Sequence, residues 1–153
     1  MTEVRKIELS DCPAIAQIHA DCFDKPWLSG DMEELLKQSA NSGLLITQQG
    51  QVSAFVMVME SVDSIEILTI ATHPEKQRQG LAKKLLISAD QMWADNQDKN
   101  WFLEVSKANE SAISFYEKLG FLKTGIRKNY YRKLDNSRVD AFIYSTKLGK
   151  LSQ

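Results

Sequence analysis

The sequence has few cysteines, no long hydrophobic run and no excess of charge of either sign. Its two cysteines, Cys12 and Cys22, fall ten residues apart on one predicted helix, which would separate them by about 15 Å, farther than a disulfide reaches. We therefore expect free thiols. These thiols and the two histidines, His19 and His73, form no recognised ligand spacing, so we expect no metal. His19 shares an apolar helix face with Ile15, which favours packing over catalysis.

Two further absences narrow the possible partners and the location. The sequence shows no signal peptide and no apolar run long enough to span a bilayer, which predicts a cytoplasmic protein without a membrane partner. A formal net charge of −1 argues against binding nucleic acid through bulk electrostatics, so we expect no direct nucleic-acid partner. Neither Gly-x-x-x-x-Gly-Lys-Ser/Thr nor Gly-x-Gly-x-x-Gly occurs, which excludes two common phosphate loops.

The remaining composition is that of an ordinary folded protein. The chain has 153 residues, of which 43% are hydrophobic and 25% charged. A chain of this size can bury a substantial core. No change of composition marks a boundary, so we expect a single domain over residues 1–153.

The segment Gln77–Ala82 is the most informative stretch. It follows the apolar run Ile65–Thr72 and precedes an amphipathic helix that begins near Gly80. Backbone N–H groups at a helix start are unpaired and carry the positive end of the helix dipole, so they bind anions. Cations crowd this helix start, where acids are normally preferred: Lys76, Arg78, Lys83 and Lys84. The segment is therefore interpreted as a pyrophosphate cradle; the alternative is a surface turn with a solvated basic face.

Hydrophobic periodicity predicts the order β-α-α-β-β-β-α-β-α-β-β, an α/β fold with a mixed sheet and helices on both faces. The predicted strands are Val4–Leu9, Gly43–Gln48, Gln51–Glu60, Ser64–Thr72, Trp101–Val105, Gly125–Tyr131 and Val139–Lys147. The predicted helices run from a cap at Ser10 or Asp11 to Cys22, over Asp31–Gln38, from near Gly80 to Trp93, and from a cap at Asn109 to Leu119.

The pattern Gln-x-x-Gly-x-Ala between a strand and a helix resembles the acetyl-CoA signature of the GCN5-related N-acetyltransferases (GNAT). The predicted element order is also that of the GNAT fold, and further motifs extend the resemblance over almost the whole chain. It looks closest to the RimI type, bacterial enzymes that acetylate the N-terminal alanine of a ribosomal protein. The motifs are Pro26-Trp27, Ile70-Ala71, Leu103-Glu104-Val105, Asn109, Phe115–Phe121, Arg127–Tyr131 and Asp140-Ala141.

The resemblance implies acetyl-CoA as co-substrate and assigns roles to individual residues. Three residues would offer backbone partners to the pantetheine arm: Ile70, Ala71 and Thr72. Six would wrap the pyrophosphate: Arg78, Gln79, Gly80, Leu81, Ala82 and Lys83. Asn109 would also contact the cofactor, Glu104 would be the base and Tyr116 the acid. Trp27, Tyr130 and Tyr131 would flank the acceptor peptide. Ser137 replaces a glycine that is common in the family, which leaves the shape of the Leu134–Arg138 turn open.

The chemistry of acetyl transfer gives these two roles a physical basis. The acceptor amine must be neutral to attack the thioester, and the departing thiolate needs a proton. Burial in an apolar strand should raise the pKa of Glu104 and make it a base. The alternative is a structural role, in which Glu104 forms an ion pair or lies on an exposed sheet edge. The phenol of Tyr116, with an ordinary pKa of about 10, can protonate a sulfur; the alternative is a place in a helix core stripe with Ala112, Phe115 and Leu119.

The leading acceptor is the N-terminal α-amine of a protein, which the resemblance identifies as the alanine terminus of a small-subunit ribosomal protein. A free small-molecule amine is the nearest alternative, because one fold serves many acceptors. A non-catalytic acyl-CoA sensor is the second, and it would not need both Glu104 and Tyr116. The oligomeric state stays open.

Overall fold

The computed structural model describes residues 1–95 and 98–152. Its element order is the predicted one, so the predicted fold class is confirmed. The strands are β1 (Thr2–Lys6), β2 (Asn41–Gln48), β3 (Gln51–Glu60), β4 (Ser64–Thr72), β5 (Asn100–Ser106), β6 (Leu122–Arg132) and β7 (Arg138–Lys147). The α-helices are α1 (Cys12–Cys22), α2 (Ser29–Lys37), α3 (Leu81–Met92) and α4 (Glu110–Leu119).

These strands form one mixed sheet in the order β1-β2-β3-β4-β5-β7-β6. Among the described residues, β4 and β5 are parallel and every other neighbouring pair is antiparallel. The crossover from β4 to β5 contains α3, as a parallel connection requires. Helices cover both faces: α3 and α4 pack on one core cluster, and α1 and α2 pack on another.

The parallel pair is short, and this shortness creates the site. Pairing between β4 and β5 joins Ser64–Glu66 to Asn100–Phe102 and extends no further. Beyond these positions the two strands diverge, while β4 stays paired with β3 and β5 with β7. The facing edges of both strands therefore border a gap in the middle of the sheet, where unpaired backbone groups are available to a ligand.

The connection between the second and third predicted strands and the predicted cap of α4 are confirmed. The β2–β3 hairpin turns through Gln49 and Gly50, whose φ values of 55° and 80° are the left-handed pair that a two-residue hairpin needs. The Asn109 side chain accepts a hydrogen bond from the Ala112 amide at 3.2 Å and caps α4. Gly120, with φ 104°, ends that helix.

The predicted first strand, Val4–Leu9, begins and ends later in the sequence than the observed strand, which starts at Thr2. β1 ends at Lys6, and Leu9–Asp11 forms a short 3-10 turn. The Asp11 carboxylate causes this turn, because it accepts a hydrogen bond from the Glu8 amide at 2.7 Å and pairs with Arg5 at 2.8 Å. Asp11 occupies the N-cap position of α1, but its side chain does not cap that helix. The second helix also begins earlier than predicted, at Ser29.

Candidate active site

Two cavities meet in the gap between β4 and β5. The first has a volume of about 860 Å³ and extends from the gap toward α1 and the β6–β7 turn. The second has a volume of about 670 Å³ and extends toward the start of α3. Both are lined by Ile70, Asn109, Ala112 and Tyr116. We call the first the acceptor cavity and the second the donor cavity; a molecule in one can reach a molecule in the other past these four residues.

The donor cavity ends at the predicted anion cradle. Gly80 has φ 75° and forms the N-cap of α3, and Arg78 also has a positive φ of 67°. The amides of the first helical turn lack partners within the helix, because its first backbone bond runs from the Lys84 amide to the Gly80 carbonyl. A Cβ atom at Gly80 would have no atom within 4 Å. The backbone is therefore open to a ligand, and Arg78 and Lys83 line the same cavity.

Six more of the predicted donor-side residues line this cavity: Ile70, Ala71, Thr72, Leu81, Ala82 and Asn109. A strand edge, a helix start with free amides and two cations together fit an elongated, multiply phosphorylated ligand such as CoA. The carbonyl of Thr72 already accepts hydrogen bonds from Cys22 Sγ and Gln77 Nε2, both at 3.3 Å.

Glu104 lies on β5 and lines the acceptor cavity but not the donor cavity. Its strand neighbours Leu103 and Val105 belong to the core under α3 and α4, so the Glu104 side chain projects to the opposite face of the sheet. The side chain is only 12% exposed, and its Oε1 lies 3.1 Å from Nη2 of Arg127. Glu104 is therefore largely buried, as predicted for a base, and it also forms the ion pair that was the structural alternative.

Tyr116 stands on the wall that the two cavities share. It is buried and packs edge-on against Phe115 and Phe121, with ring centroids 5.2 and 5.4 Å away. Tyr116 therefore packs in the helix core and also lines both cavities. Burial raises the pKa of Tyr116 well above its usual value, and neighbouring Tyr131 raises it further. The phenol consequently keeps its proton at neutral pH and faces the junction as a hydrogen-bond donor.

The acceptor cavity is walled by segments that are distant in sequence. Trp27 and Tyr131 line it, and the Tyr131 hydroxyl donates to the Glu104 carbonyl at 3.4 Å. Burial, reinforced by the charge of Glu104, raises the pKa of Tyr131 to about 12. His19 packs between Phe23 and Trp27, at centroid distances of 4.2 and 5.2 Å, and forms part of the same wall.

The mouth of the acceptor cavity is formed by two loops. Lys25, after α1, donates a hydrogen bond from Nζ to the Arg132 carbonyl at 3.2 Å. In the β6–β7 turn, Asn136 takes the positive φ of 68°. Ser137 is not forced into that conformation and instead donates from its hydroxyl to Asp135 Oδ1 at 2.6 Å. The turn therefore forms with serine at the position where the family often has glycine.

Family membership follows from comparison with known proteins. The acetyltransferase (GNAT) family matches residues 12–121. This chain belongs to the GNAT acetyltransferase family. It is an acetyl-CoA-dependent N-acetyltransferase, and the resemblance seen in the sequence is confirmed.

Relatives and a solved structure extend the likeness over nearly the whole chain. The ribosomal protein bS18 alanine N-acetyltransferase of Escherichia coli strain K12 is 32% identical over 146 residues, which are 94% of this chain and 95% of that protein. The Haemophilus ducreyi protein of that name is 37% identical over 120 residues, 77% of this chain and 81% of that one. The crystal structure of the Escherichia coli ribosomal-protein-S18-alanine N-acetyltransferase matches with a TM-score of 0.88 and 30% identity, covering 97% of this chain and 94% of that one.

Two residues predicted for the GNAT site lie outside the cavities. Gln79 lines neither cavity; its side-chain oxygen accepts a hydrogen bond from Gln48 Nε2 at 3.1 Å. Tyr130 lines neither and is 47% exposed. A register shift between Arg127 and Tyr131 and the positive φ of Asn129, 52°, turn the strand there.

Other residues of the donor cavity were missed from the sequence. Cys22 lines it, and α4 contributes Ser111, Ser114 and Lys118. The three α4 residues fall at spacings of three and four, the signature of one helix face. That polar face could have been recognised beside the apolar stripe of the same helix.

The described residues show neither a metal cluster nor a membrane-spanning helix. No group of three His, Cys, Asp or Glu residues within 1–95 and 98–152 is placed to hold a metal ion. In those same ranges no helix is long and apolar enough to cross a bilayer.

Proposed function

We propose that this enzyme acetylates the N-terminal α-amine of a protein, and that its acceptor is the N-terminal alanine of a small-subunit ribosomal protein. The observation that carries the proposal is the meeting of the donor and acceptor cavities at Tyr116, with Glu104 on the acceptor side alone. The activity for which the relatives that match most of the chain are named supports this acceptor. Such an acceptor is made in the cytoplasm, where we expect the enzyme to act.

In the donor cavity, the first-turn amides of α3 bind the pyrophosphate, assisted by Arg78 and Lys83. The pantetheine arm follows the free edge of β4 at Ile70–Thr72, and Asn109 contacts it from the start of α4. This arrangement brings the acetyl thioester to the four residues that both cavities share. Each charge-assisted hydrogen bond to the phosphates contributes about 1.5 to 3 kcal/mol.

Acceptor and donor approach from opposite faces of the sheet. The peptide enters past Trp27, Tyr131 and the β6–β7 turn, on the face to which Glu104 projects. Glu104 takes the proton of the amine, directly or through a water molecule, and the neutral amine attacks the acetyl carbonyl. The amine nitrogen forms the new bond to carbon, the bond from carbon to sulfur breaks, and the proton that the nitrogen loses on becoming an amide balances the one that the departing sulfur gains.

Tyr116 stabilises the departing sulfur. The thiolate of CoA gains negative charge as the carbon–sulfur bond breaks, and the Tyr116 hydroxyl can donate a hydrogen bond or its proton to it. Because burial raises the pKa of this phenol, full proton transfer to the sulfur is less favourable than for an exposed tyrosine. Its role as a hydrogen-bond donor to the developing charge on the sulfur is not weakened, because the proton stays on the hydroxyl.

Replacing Tyr116 with phenylalanine should lower kcat by about 10²-fold or more while leaving the affinity for acetyl-CoA within a few-fold. The ring packing against Phe115 and Phe121 is preserved, so the fold should be unchanged. Steady-state rates and calorimetric binding check this. Tyr144→Phe is the matched control, because it removes another tyrosine hydroxyl, bonded to Glu117 at 2.8 Å, outside both cavities. Equal rates for Tyr116→Phe and wild type, with chemistry limiting, would contradict the role.

The enzyme should acetylate a terminal α-amine in preference to a lysine side chain. The α-amine has a pKa of about 7.7 to 8.0 and lysine about 10.4, so near pH 7.5 the neutral fraction of the α-amine is a few hundred times larger. A lysine-directed site would have to offset about 3.5 kcal/mol to bring the lysine ammonium to the neutral form.

The test offers three acceptors and measures CoA release and the site of modification. They are a peptide with a free terminal alanine and an internal lysine, the same peptide with its terminus blocked, and spermidine. We expect modification at the free terminus only. Preference for spermidine would support the small-amine alternative, modification of lysine would overturn the α-amine proposal, and cofactor binding without turnover on any acceptor would indicate a sensor.

A further inference from the structure

Glu66 is an acidic residue beside the acceptor cavity to which the proposed chemistry gives no role. It is half-buried on β4, at the last position where β4 pairs with β5, opposite Phe102. Glu104 follows two residues after Phe102 on the same face of β5, just beyond the last paired position, and its charge acts on Glu66. Glu66 forms no salt bridge or side-chain hydrogen bond to any of residues 1–95 and 98–152.

Arg127 connects the two acids electrostatically. Its guanidinium pairs with Glu104 at 3.1 Å and is half exposed. Burial raises the pKa of Glu66, the charge of Glu104 raises it further, and Arg127 opposes both effects by favouring the ionised form. The charges of Glu66, Glu104 and Arg127 also act on Tyr131, but Tyr131 itself is uncharged at neutral pH.

The net charge of this group determines whether the acceptor pocket attracts or repels a cation. A terminal α-amine arrives mostly as an ammonium at pH 7. Glu104 and Arg127 alone sum to zero, and the guanidinium repels an ammonium that approaches Glu104. The other acidic and basic residues that line the cavity do not compensate, because they are two acids and three cations: Asp24, Asp135, Lys25, Arg132 and Lys133.

We propose that Glu66 is a specificity residue that offsets Arg127 and gives the acceptor pocket the net negative charge with which it binds a cationic amine. It does not line the cavity and acts through its charge, not by contact with the acceptor. With Glu66 the group carries −1, formed by Glu66, Glu104 and Arg127. This inference rests on the proposed function, since it assumes that the amine binds beside Glu104.

The charge count makes a prediction that a structural role for Glu66 would not make. Glu66→Gln brings the group to zero and should weaken binding of a peptide with a free terminal alanine about tenfold, which is about 1.4 kcal/mol. Binding of the same peptide with an acetylated terminus should stay within twofold, because that peptide carries no terminal charge. The double variant Glu66→Gln/Arg127→Gln returns the group to −1 and should recover most of the lost affinity.

Calorimetry with the enzyme saturated with CoA measures both peptides without turnover. Glu66→Asp keeps the charge and should bind as wild type. Glu3→Gln is the matched control, since it makes the same change of net charge at an exposed position of the edge strand β1, three strands away from β4. The proposal is overturned if Glu66→Gln binds the free-terminus peptide as tightly as wild type, weakens both peptides equally, or is not rescued by the second substitution. Failure of wild type to acetylate the free-terminus peptide would instead reject the proposed function.

Discussion

Replacing Glu104 with glutamine should lower kcat by about 10²- to 10⁴-fold at pH 7, the range that general base catalysis supplies. Glutamine keeps the shape of the side chain but cannot accept the proton of the ammonium. The affinity for acetyl-CoA should stay within a few-fold, because Glu104 lines the acceptor cavity and not the donor cavity. Single-turnover rates and calorimetric binding separate these two quantities.

The pH dependence distinguishes a base from a structural ion pair. Above the amine pKa of about 8 the acceptor is already neutral and needs no base. The deficit of Glu104→Gln should therefore shrink as pH rises from 7 to 9. A deficit that stays constant over this range would show that the substitution damages the site through loss of the Arg127 pair, and a wild-type rate at pH 7 would remove Glu104 from the mechanism.

Replacing Gly80 with glutamate should weaken acetyl-CoA binding by several kcal/mol. The substitution places a carboxylate where the first-turn amides of α3 point, and it removes two or three contacts worth about 1.5 to 3 kcal/mol each. Because a Cβ at this position meets no atom within 4 Å, the protein itself can accommodate the side chain. Calorimetric titration with acetyl-CoA measures the loss.

Gly80→Ala is the matched control for this substitution. Gly80 has φ 75°, so any side chain there costs about 1 kcal/mol of backbone strain. Alanine carries that strain without the charge, and its loss of affinity should be much smaller than that of glutamate. If the glutamate variant is folded, as thermal melting would show, and binds acetyl-CoA as tightly as wild type, the anion cradle is not where the pyrophosphate lies.

Much of the donor side was predictable because its residues are consecutive. The strand Ser64–Thr72, the turn at Gly80 and the start of α3 follow one another along the chain, and each is recorded in local pattern and backbone preference. The exception, Gln79, shows the limit of this approach. Its backbone belongs to the turn, but its side chain bonds to Gln48, a partner on a different hairpin that no local pattern specifies.

The acceptor side depended on contacts between distant segments. Glu104 was predicted as a buried carboxylate, and burial was correct, but its partner Arg127 lies two strands away across β7. Tyr130 and Tyr131 are neighbours in sequence, yet only Tyr131 lines the cavity. The strand pairing shifts register in this part of β6, and a register is fixed by how strands pair and not by either strand alone.

The sequence by itself determined the order of elements, the family resemblance, the anion cradle and the caps of α4, because periodicity, glycine and capping residues act over a few neighbouring positions. Tertiary structure alone decided where β4 and β5 separate, how the two cavities join at Tyr116, and that Glu66, Glu104 and Arg127 share one field. These features arise from the packing of segments tens of residues apart, and charge and cavity shape depend on distances in space rather than along the chain.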